Sequence, residues 1–412
     1  MKIDTSKLLL GLVVPSLEKG GGVPSVAGFV AKAALSYGIS VKLISLSMDS
    51  RDPQSRLLLS PRTWFRGATV RHGEWHDMPM QHVGAEWGDF EFQRYRPRRA
   101  LADAIAECDL VQVVCGSPAW ANAVLGLGKP VALQVATRAK IERRRRDSLE
   151  AGLSGMWRKA MTAVTDRLDD RALRRVDAIQ VENPWMLDYA RRVNGDRSTV
   201  DIRYAPPGVD GRRFHPLCTQ PNKAGRDYIL CVGRLDDPRK NIGLLLDAFS
   251  RVQADIRQVD LVTAGATSPP ADYWAAVKQL GLQGRVRHIS RPETDELVSL
   301  YQHATAFALP SDEEGLGVVI LEAMACAVPV VATRCGGPDG IISDGKDGFL
   351  VPVDDVSALA NRLRLLCSDG ALNHQMGREA RATFEAKYDD HVTAAAFVEM
   401  WYQLVQKEKS VS

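Results

Sequence analysis

Two carboxylates, Glu314 and Glu322, are separated by seven residues in the stretch EGLGVVILEAMACAVPVVAT. The run Val318 to Cys326 between glycines and prolines reads as a helix. Glu314 therefore lies just ahead of a helix N-terminus, where free backbone N–H groups attract anionic and hydroxyl-bearing ligands. Glu322 lies about two turns further on and on roughly the same side, because eight residues advance about 80° past two full turns. Two acceptors on one edge, with the amides of Gly315, Leu316, Gly317 and Val318 between them, can grip a polyhydroxylated molecule at two points. The plainer alternative is one acid at a helix N-terminus and another on its surface. Against it stands the apolar setting of Glu322, between Leu321 and Ala323-Met324-Ala325, where a charge is costly without a partner. Upstream, Arg234 follows the strand-like run Tyr228 to Val232 and Lys240 precedes the helix-like run Ile242 to Val252. Cations flanking a strand-to-helix crevice suit a diphosphate, although Asp236 and Asp237 are close enough to pair with them locally.

These segments resemble the donor-sugar motif of glycosyltransferase family 4, retaining nucleotide-sugar enzymes of GT-B fold. The family's Glu, seven residues, Glu pattern falls on Glu314 and Glu322, and the resemblance continues through CVGRLDDPRKN, Cys231 to Asn241. It covers residues 200–390 strongly and the first part of the chain mainly through one glycine loop. It implies two facing Rossmann-like α/β domains: an acceptor-binding domain over 1–205, a donor-binding domain over 206–390, and a C-terminal helix over 391–412 that packs back on the first. The implied reaction moves a hexose-type sugar from a UDP- or GDP-sugar to a hydroxyl of a glycan, lipid-linked or small-molecule acceptor, in cell-envelope or polysaccharide biosynthesis. The implied donor-binding set is Gly21, Gly22, Arg234, Lys240, Arg291, Glu314, Gly315, Leu316, Gly317, Val318 and Glu322. Arg234, Lys240 and Glu314 would act on the reacting groups. In the family the second Glu holds ribose hydroxyls and the first holds the sugar ring. No DxD-like carboxylate cluster occupies a strand end, so no metal or other cofactor is expected. Charge on the departing diphosphate would be met by fixed cations and amides. Both acids lie on one short stretch, unlike the opposed pair of a glycoside hydrolase. In one respect the chain departs from the family. After the run Val131 to Val135 a His commonly stands near the donor sugar, and here the position holds Ala136.

The elements that must position these groups alternate along the chain. Short apolar runs at Leu8–Val14, Ser40–Leu46, Leu110–Val114, Val131–Val135 and Ala178–Val181 alternate with helical stretches, and runs at 228–232, 260–264, 287–289 and 305–309 repeat the pattern. Such alternation predicts parallel sheets with crossover helices. Lys19-Gly20-Gly21-Gly22-Val23 joins the first strand to a helix over Ala27–Tyr37, a turn whose amides could approach a phosphate or serve only as a tight bend. The segment 49–100 shows neither period. It holds His72, His76 and His82, for which a substrate-facing loop is expected rather than a metal site. From Arg138 to Arg175 a basic helical region is expected, with Trp157, Met161, Val164 and Leu168 at helical spacing, so that one face is apolar. Its run Arg143 to Arg146 is either a solvated face or a contact for anionic lipid or a diphosphate-bearing acceptor. Pro206-Pro207-Gly208 breaks both periods and marks a linker.

Composition bounds the remaining possibilities. A chain of 412 residues exceeds the size of one hydrophobic core, so two domains are expected. Seven cysteines without framework spacing predict a reduced, cytoplasmic protein, held at most peripherally on the inner face of the membrane. Up to Ala205 there are 31 basic and 23 acidic residues, a balance of +8; the rest has 22 and 27, a balance of −5. The first half thus suits anionic partners, but without interleaved aromatics or a reading motif it does not suit nucleic acid. Two Rossmann-like units also invite a nicotinamide-dependent oxidoreductase. The glycine loop fails that pattern because Ser25 takes the third glycine position, and Asp49 is the nearest acid after the second strand. A sugar-nucleotide epimerase of the same fold and a non-catalytic sugar-nucleotide binding protein are the nearer rivals.

Overall fold

The computed structural model describes residues 8–15, 17, 22–149, 152–195, 199–217, 227–256 and 258–411. The chain divides into two compact units, residues 1–207 with 394–412, and residues 208–393. Five helices matter to the argument: α1 (Gly22–Ser36), α2 (Gly152–Leu173), α3 (Ile242–Asp255), α4 (Val318–Ala325) and α5 (Asp390–Val411).

The first unit is built on eight strands: β1 (Leu9–Pro15), β2 (Ser40–Leu46), β3 (Val70–Trp75), β4 (Met78–Val83), β5 (Leu110–Cys115), β6 (Val131–Val135), β7 (Ala178–Val181) and β8 (Asp201–Tyr204). They form one sheet in the order β3-β4-β2-β1-β5-β6-β7-β8. The central strands are buried along their length, as the near-continuous Val, Leu and Ile runs require of a parallel sheet covered on both faces. β3 pairs antiparallel with β4, so the segment 49–100 contains an edge hairpin that the sequence does not announce. Its turn residues His76 and Asp77 have φ of 48° and 61°, the left-handed pair that a tight hairpin demands. They are not glycines, and the strands they join are partly exposed, so neither period stands out.

α5 supplies the outer cover of this sheet from Ala394 onward. Phe397 and Trp401 are fully buried, Phe397 meets Phe29 of α1 edge-on at 5.2 Å, and Trp401 Nε1 donates to Gln112 Oε1 at 2.7 Å. That bond satisfies two polar groups whose isolated burial would each be costly.

The basic region 138–175 breaks into two short helices followed by α2, whose buried side is mixed, with Leu168 packed on the core beside Ala172 and Leu173. Thr162, Thr165 and Asp169 point inward with Gly155, Ala172 and Leu173, whereas Trp157 is 61% exposed. The cause lies in what α2 covers, the turns after β5 and β6 with amides that need acceptors. Asp169 provides them, accepting from Ala119 N at 2.7 Å, Ala139 N at 2.8 Å and the Ser117 hydroxyl. Burial pushes its carboxyl up to about 7 even against those three bonds.

The second unit carries β9 (Asp227–Val232), β10 (Val259–Gly265), β11 (Val286–Ser290), β12 (Ala306–Leu309), β13 (Val330–Thr333) and β14 (Gly348–Val351). All pair in parallel, in the order β11-β10-β9-β12-β13-β14. Two apolar cores lie on its faces. One holds Tyr301, Phe307 and α4; the other holds Phe249 of α3 with Leu359 and Leu363. β9 and β12 are neighbours, so the loops after them, which bear Arg234, Lys240 and Glu314, share one end of the sheet. Ligands of open parallel sheets bind at that end.

Candidate active site

Arg234 and Lys240 sit in the loop between β9 and α3, and Glu314 in the loop between β12 and α4. The first loop bends back at once because Gly265 admits it: a Cβ there would lie 2.0 Å from the Gly233 carbonyl oxygen. Asp237 caps a short turn at Pro238–Lys240 by accepting from Arg239 N, and Asn241 closes it with φ of 44°. Asn241 Nδ2 then donates to Asp312 Oδ1 at 2.6 Å and to Asp354 Oδ1 at 2.7 Å, tying this loop to the one after β12.

The charges are arranged as linked pairs. Lys240 Nζ donates to Glu314 Oε1 at 2.6 Å, and the fully buried Ser311 donates its hydroxyl to the same oxygen at 2.6 Å. Arg239 bridges Asp237 and Glu313, each at 2.8 Å. Arg234 Nη2 reaches Asp237 Oδ2 at 2.9 Å. Burial alone would raise the Asp237 carboxyl, but Arg239 and Arg234 together hold it below the usual carboxylate range. Of the two local partners expected for the cations, Asp237 takes Arg234, while Asp236 accepts from Thr267 at 2.7 Å. Lys240 takes the more distant Glu314. One of its three ammonium donors is used in that bond.

Behind Glu314, the turn Gly315-Leu316-Gly317 leads into α4. Gly317 has φ of 87° and α4 has no side-chain cap at its N-terminus; Ile320 N turns back to Gly317 O at 2.8 Å, and no side chain covers the mouth of the helix, where anionic groups are favoured. The backbone of Leu316 is packed so closely on Gly337 that a Cβ on Gly337 would lie 2.3 Å from the Leu316 oxygen. Glu314 N donates to Cys335 O at 3.1 Å and Gly337 N to Glu314 O at 2.9 Å. The cradle is thus fixed from both sides.

Glu322 lies on α4, partly buried. Its Oε2 accepts from the Tyr301 hydroxyl at 2.6 Å, and Tyr301 is fully buried between Phe214 and Phe307. Burial pushes the Glu322 carboxyl up to about 7, the tyrosine bond opposing it. The cost foreseen for a charge in that apolar run is met by a tyrosine partner and by easier protonation. Arg291 follows β11, exposed, with φ of 50° and its Nε on Ala266 O at 3.1 Å.

Among the site residues expected from sequence, Arg234, Lys240, Glu314 and Gly315 to Val318 come together at this loop pair, and Glu322 follows on the helix that the cradle opens. Gly22 opens α1 of the first unit, with open space where a Cβ would be; Gly21 lies outside the described residues. Ala136 offers only its carbonyl, which accepts from Asn183 Nδ2 at 2.7 Å. Arg143, from the basic run, is ion-paired with Glu91 and so belongs to the scaffold. Of the three histidines, His82 is buried between Asp52 and Ser45, while His72 and His76 stand exposed on the hairpin. Among the described residues, Asp389, Asp390 and His391 could bring ligand atoms within 4.8 Å of one another, outside the Lys240–Glu314 cluster. Arg239, Ser311, Asn241 and Tyr301 complete the site without having been singled out from sequence. Arg239, in the same DDPRK run, carries a signal only in its neighbours.

The family model for glycosyl transferases group 1 matches residues 219–383. A D-inositol 3-phosphate glycosyltransferase of Paenarthrobacter aurescens (strain TC1) is 30% identical over 306 residues, 69% of this chain and 71% of the relative. Two solved structures share the fold at low identity. A sucrose-phosphate synthase from Thermosynechococcus elongatus matches 97% of this chain and 100% of its own at 19% identity, with a TM-score of 0.72. Anabaena Alr3699/HepE in complex with UDP-glucose matches 96% and 99% at 18% identity, with a TM-score of 0.70. With its two parallel-sheet units and this site, the chain belongs to the group 1 glycosyltransferases, family 4 enzymes of GT-B fold.

Proposed function

We propose that this glycosyltransferase moves a hexose from a UDP- or GDP-sugar to a hydroxyl acceptor with retention and without a metal. One observation carries the reading: Lys240 and Ser311 converge on a single oxygen of Glu314, at the mouth of the uncapped α4. Lys240 and Arg234 meet the diphosphate charge as the anomeric bond breaks. Fixed cations in a partly desolvated cleft do this without rearrangement. Glu314, held by Ser311, accepts from sugar hydroxyls beside the amides of Gly315 to Gly317. Glu322 accepts from the ribose, with Tyr301 fixing its rotamer. The relative named for D-inositol 3-phosphate supports an anionic small-molecule acceptor, and the +8 balance up to Ala205 suits an anionic acceptor, small or lipid-linked. No helix among the described residues is long and apolar enough to cross a membrane; the enzyme works in the cytoplasm, in contact with an anionic inner leaflet.

The test separates the two glutamates. A hydrogen bond to a charged group contributes about 1.5–3 kcal/mol, roughly ten- to a hundredfold in affinity. Glu322→Gln is expected to weaken the nucleotide sugar and the bare nucleoside diphosphate alike, and Glu314→Gln only the sugar-bearing donor. Calorimetry with both ligands on both variants measures this. If Glu314→Gln weakens the bare diphosphate as much as the donor, the assignment of Glu314 to the sugar is wrong.

A further inference from the structure

Two groups of large apolar side chains in the first unit lie outside its cores. On the segment after β2, Leu59 is 90% exposed and Phe65 100%, with Trp64 beside them. At the head of α2, Leu153 is 85% exposed and Met156 69%, with Trp157 one residue on. Exposed cations flank each group, Arg62 and Arg66 at the first and Lys159 at the second. Single apolar residues on a surface are ordinary, but clusters of this kind mark contact sites.

The first group sits on a built turn. Trp64 Nε1 donates to Leu57 O at 3.0 Å, and its ring meets Trp87 edge-on at 6.1 Å. Arg56 lies over the Trp87 ring at 4.7 Å, and Leu58 N donates to Asp89 Oδ2 at 2.6 Å. The scaffold runs on from there: Glu91 takes both Arg143 and the Thr165 hydroxyl of α2. Glu91 thus ties the segment after β4 to the middle of α2. On α2 itself Thr162, Thr165, Asp169, Ala172 and Leu173 lie inside, while Leu153, Met156 and Trp157 lie outside. The head of the helix therefore leaves three large apolar side chains outside, where the rest of its outer face carries Lys159, Arg167 and Arg171.

A few Trp, Phe and Leu side chains flanked by Arg and Lys are the composition of a bilayer interface, where rings settle at headgroup depth and cations meet lipid phosphates. Charge also selects the occupant. Two copies joined at these tips would bring like-charged rims together, whereas an anionic leaflet attracts them. We propose that Leu59, Trp64 and Phe65 on one turn, with Leu153, Met156 and Trp157 on α2, seat the first unit on an anionic phospholipid surface. The inference rests on the membrane-contact part of the proposed function and is independent of sugar transfer.

The test uses the full chain and vesicles of phosphatidylcholine with about a third phosphatidylglycerol, against pure phosphatidylcholine. The wild type is expected to co-sediment with the anionic vesicles and to show a blue shift in tryptophan emission. Leu59→Ser/Phe65→Ser and Leu153→Ser/Trp157→Ser should each lower partitioning roughly tenfold or more, since apolar insertion scales with buried area. Unchanged thermal midpoints would show both variants folded. The proposal falls if the wild type ignores anionic vesicles or if both double variants sediment as it does. It falls equally if, without vesicles, the wild type forms a concentration-dependent dimer that the variants lose. Failure of glycosyl transfer with every donor, alongside loss of vesicle binding in the variants, would overturn the proposed reaction and leave the docking surface standing.

Discussion

After β9 and β12 in the second unit, the connections to α3 and α4 are nine and eight residues long, and their side chains lock across to each other through Lys240–Glu314, Arg239–Glu313 and Asn241–Asp312. After β2 in the first unit the chain runs from Ser47 to Thr69 before the next strand, and after β6 it runs from Ala136 to α2. Those long segments are held by backbone bonds such as Arg56 N to Ala85 O at 2.9 Å and by buried side chains on backbone groups, as Asp169 is on Ala139 N. The difference teaches how one architecture serves two tasks. Short loops with reciprocal charge pairs hold cations and acceptors at fixed points, which preorganised electrostatics requires. Long segments leave outer residues such as Leu59 and Phe65 at the surface, and loops of this kind suit recognition of a partner.

Removing the second unit's cations would break this comparison most sharply. Lys240→Ala and Arg234→Ala are each expected to lower turnover roughly a hundredfold or more, as loss of a preorganised charge donor does. Chelator should leave the wild-type rate nearly unchanged. Steady-state kinetics with and without EDTA checks both. Loss of activity in EDTA, restored by a divalent ion, would place the compensating charge elsewhere.

How much of this was legible in the sequence differs between the two units for a physical reason. The strands from Val131 and Ala178 start where their apolar runs start, because fully buried strands leave no room for ambiguity. The place of Glu314, Lys240 and Arg234 in loops after strand ends was legible because each follows an apolar strand run and precedes a helical one. The partnership of Lys240 with Glu314 was not, since it joins residues 74 apart and depends on β9 lying beside β12. The apolar spacing on α2 did not show which residues are buried, because the surface beneath combines a core that takes Leu168 and Leu173 with backbone amides that need Asp169. Trp157 follows the apolar spacing and stands 61% exposed.

Glycines sharpen the comparison at the next scale. Gly337→Ala would force a Cβ to within 2.3 Å of the Leu316 oxygen, so the cradle must move. The expected cost is about 2 kcal/mol or more in stability, with donor affinity falling alongside. Gly22→Ala meets nothing within 4 Å, so its stability should stay within about 0.5 kcal/mol of wild type. If Gly22 lies where the diphosphate approaches, this variant still loses donor affinity. Denaturant midpoints and donor titrations on the two variants separate a packing glycine from a ligand-facing one. Equal stability losses would erase the distinction.

The smallest expected effect tests how the second unit tunes the acid on α4. The Glu322 carboxyl is raised to about 7 by burial, with the Tyr301 hydroxyl pulling it back. Its folded value lies above the unfolded 4.5, so the stability it contributes is fully present below about 4.5 and is lost as pH rises through about 7. Binding runs the other way, because only the ionised form is a pure acceptor for ribose hydroxyls. Nucleoside diphosphate affinity should therefore rise through pH 7 in the wild type. Tyr301→Phe removes the bond that favours ionisation and barely alters shape, so the rise should move to higher pH and leave affinity at pH 7 roughly two- to fivefold lower. Glu322→Gln supplies the baseline, since the diphosphate's own titration remains in it. Calorimetry at pH 6, 7 and 8 on the three proteins gives the midpoints. If Tyr301→Phe and wild type rise together, the tyrosine holds only the rotamer of Glu322 and not its charge.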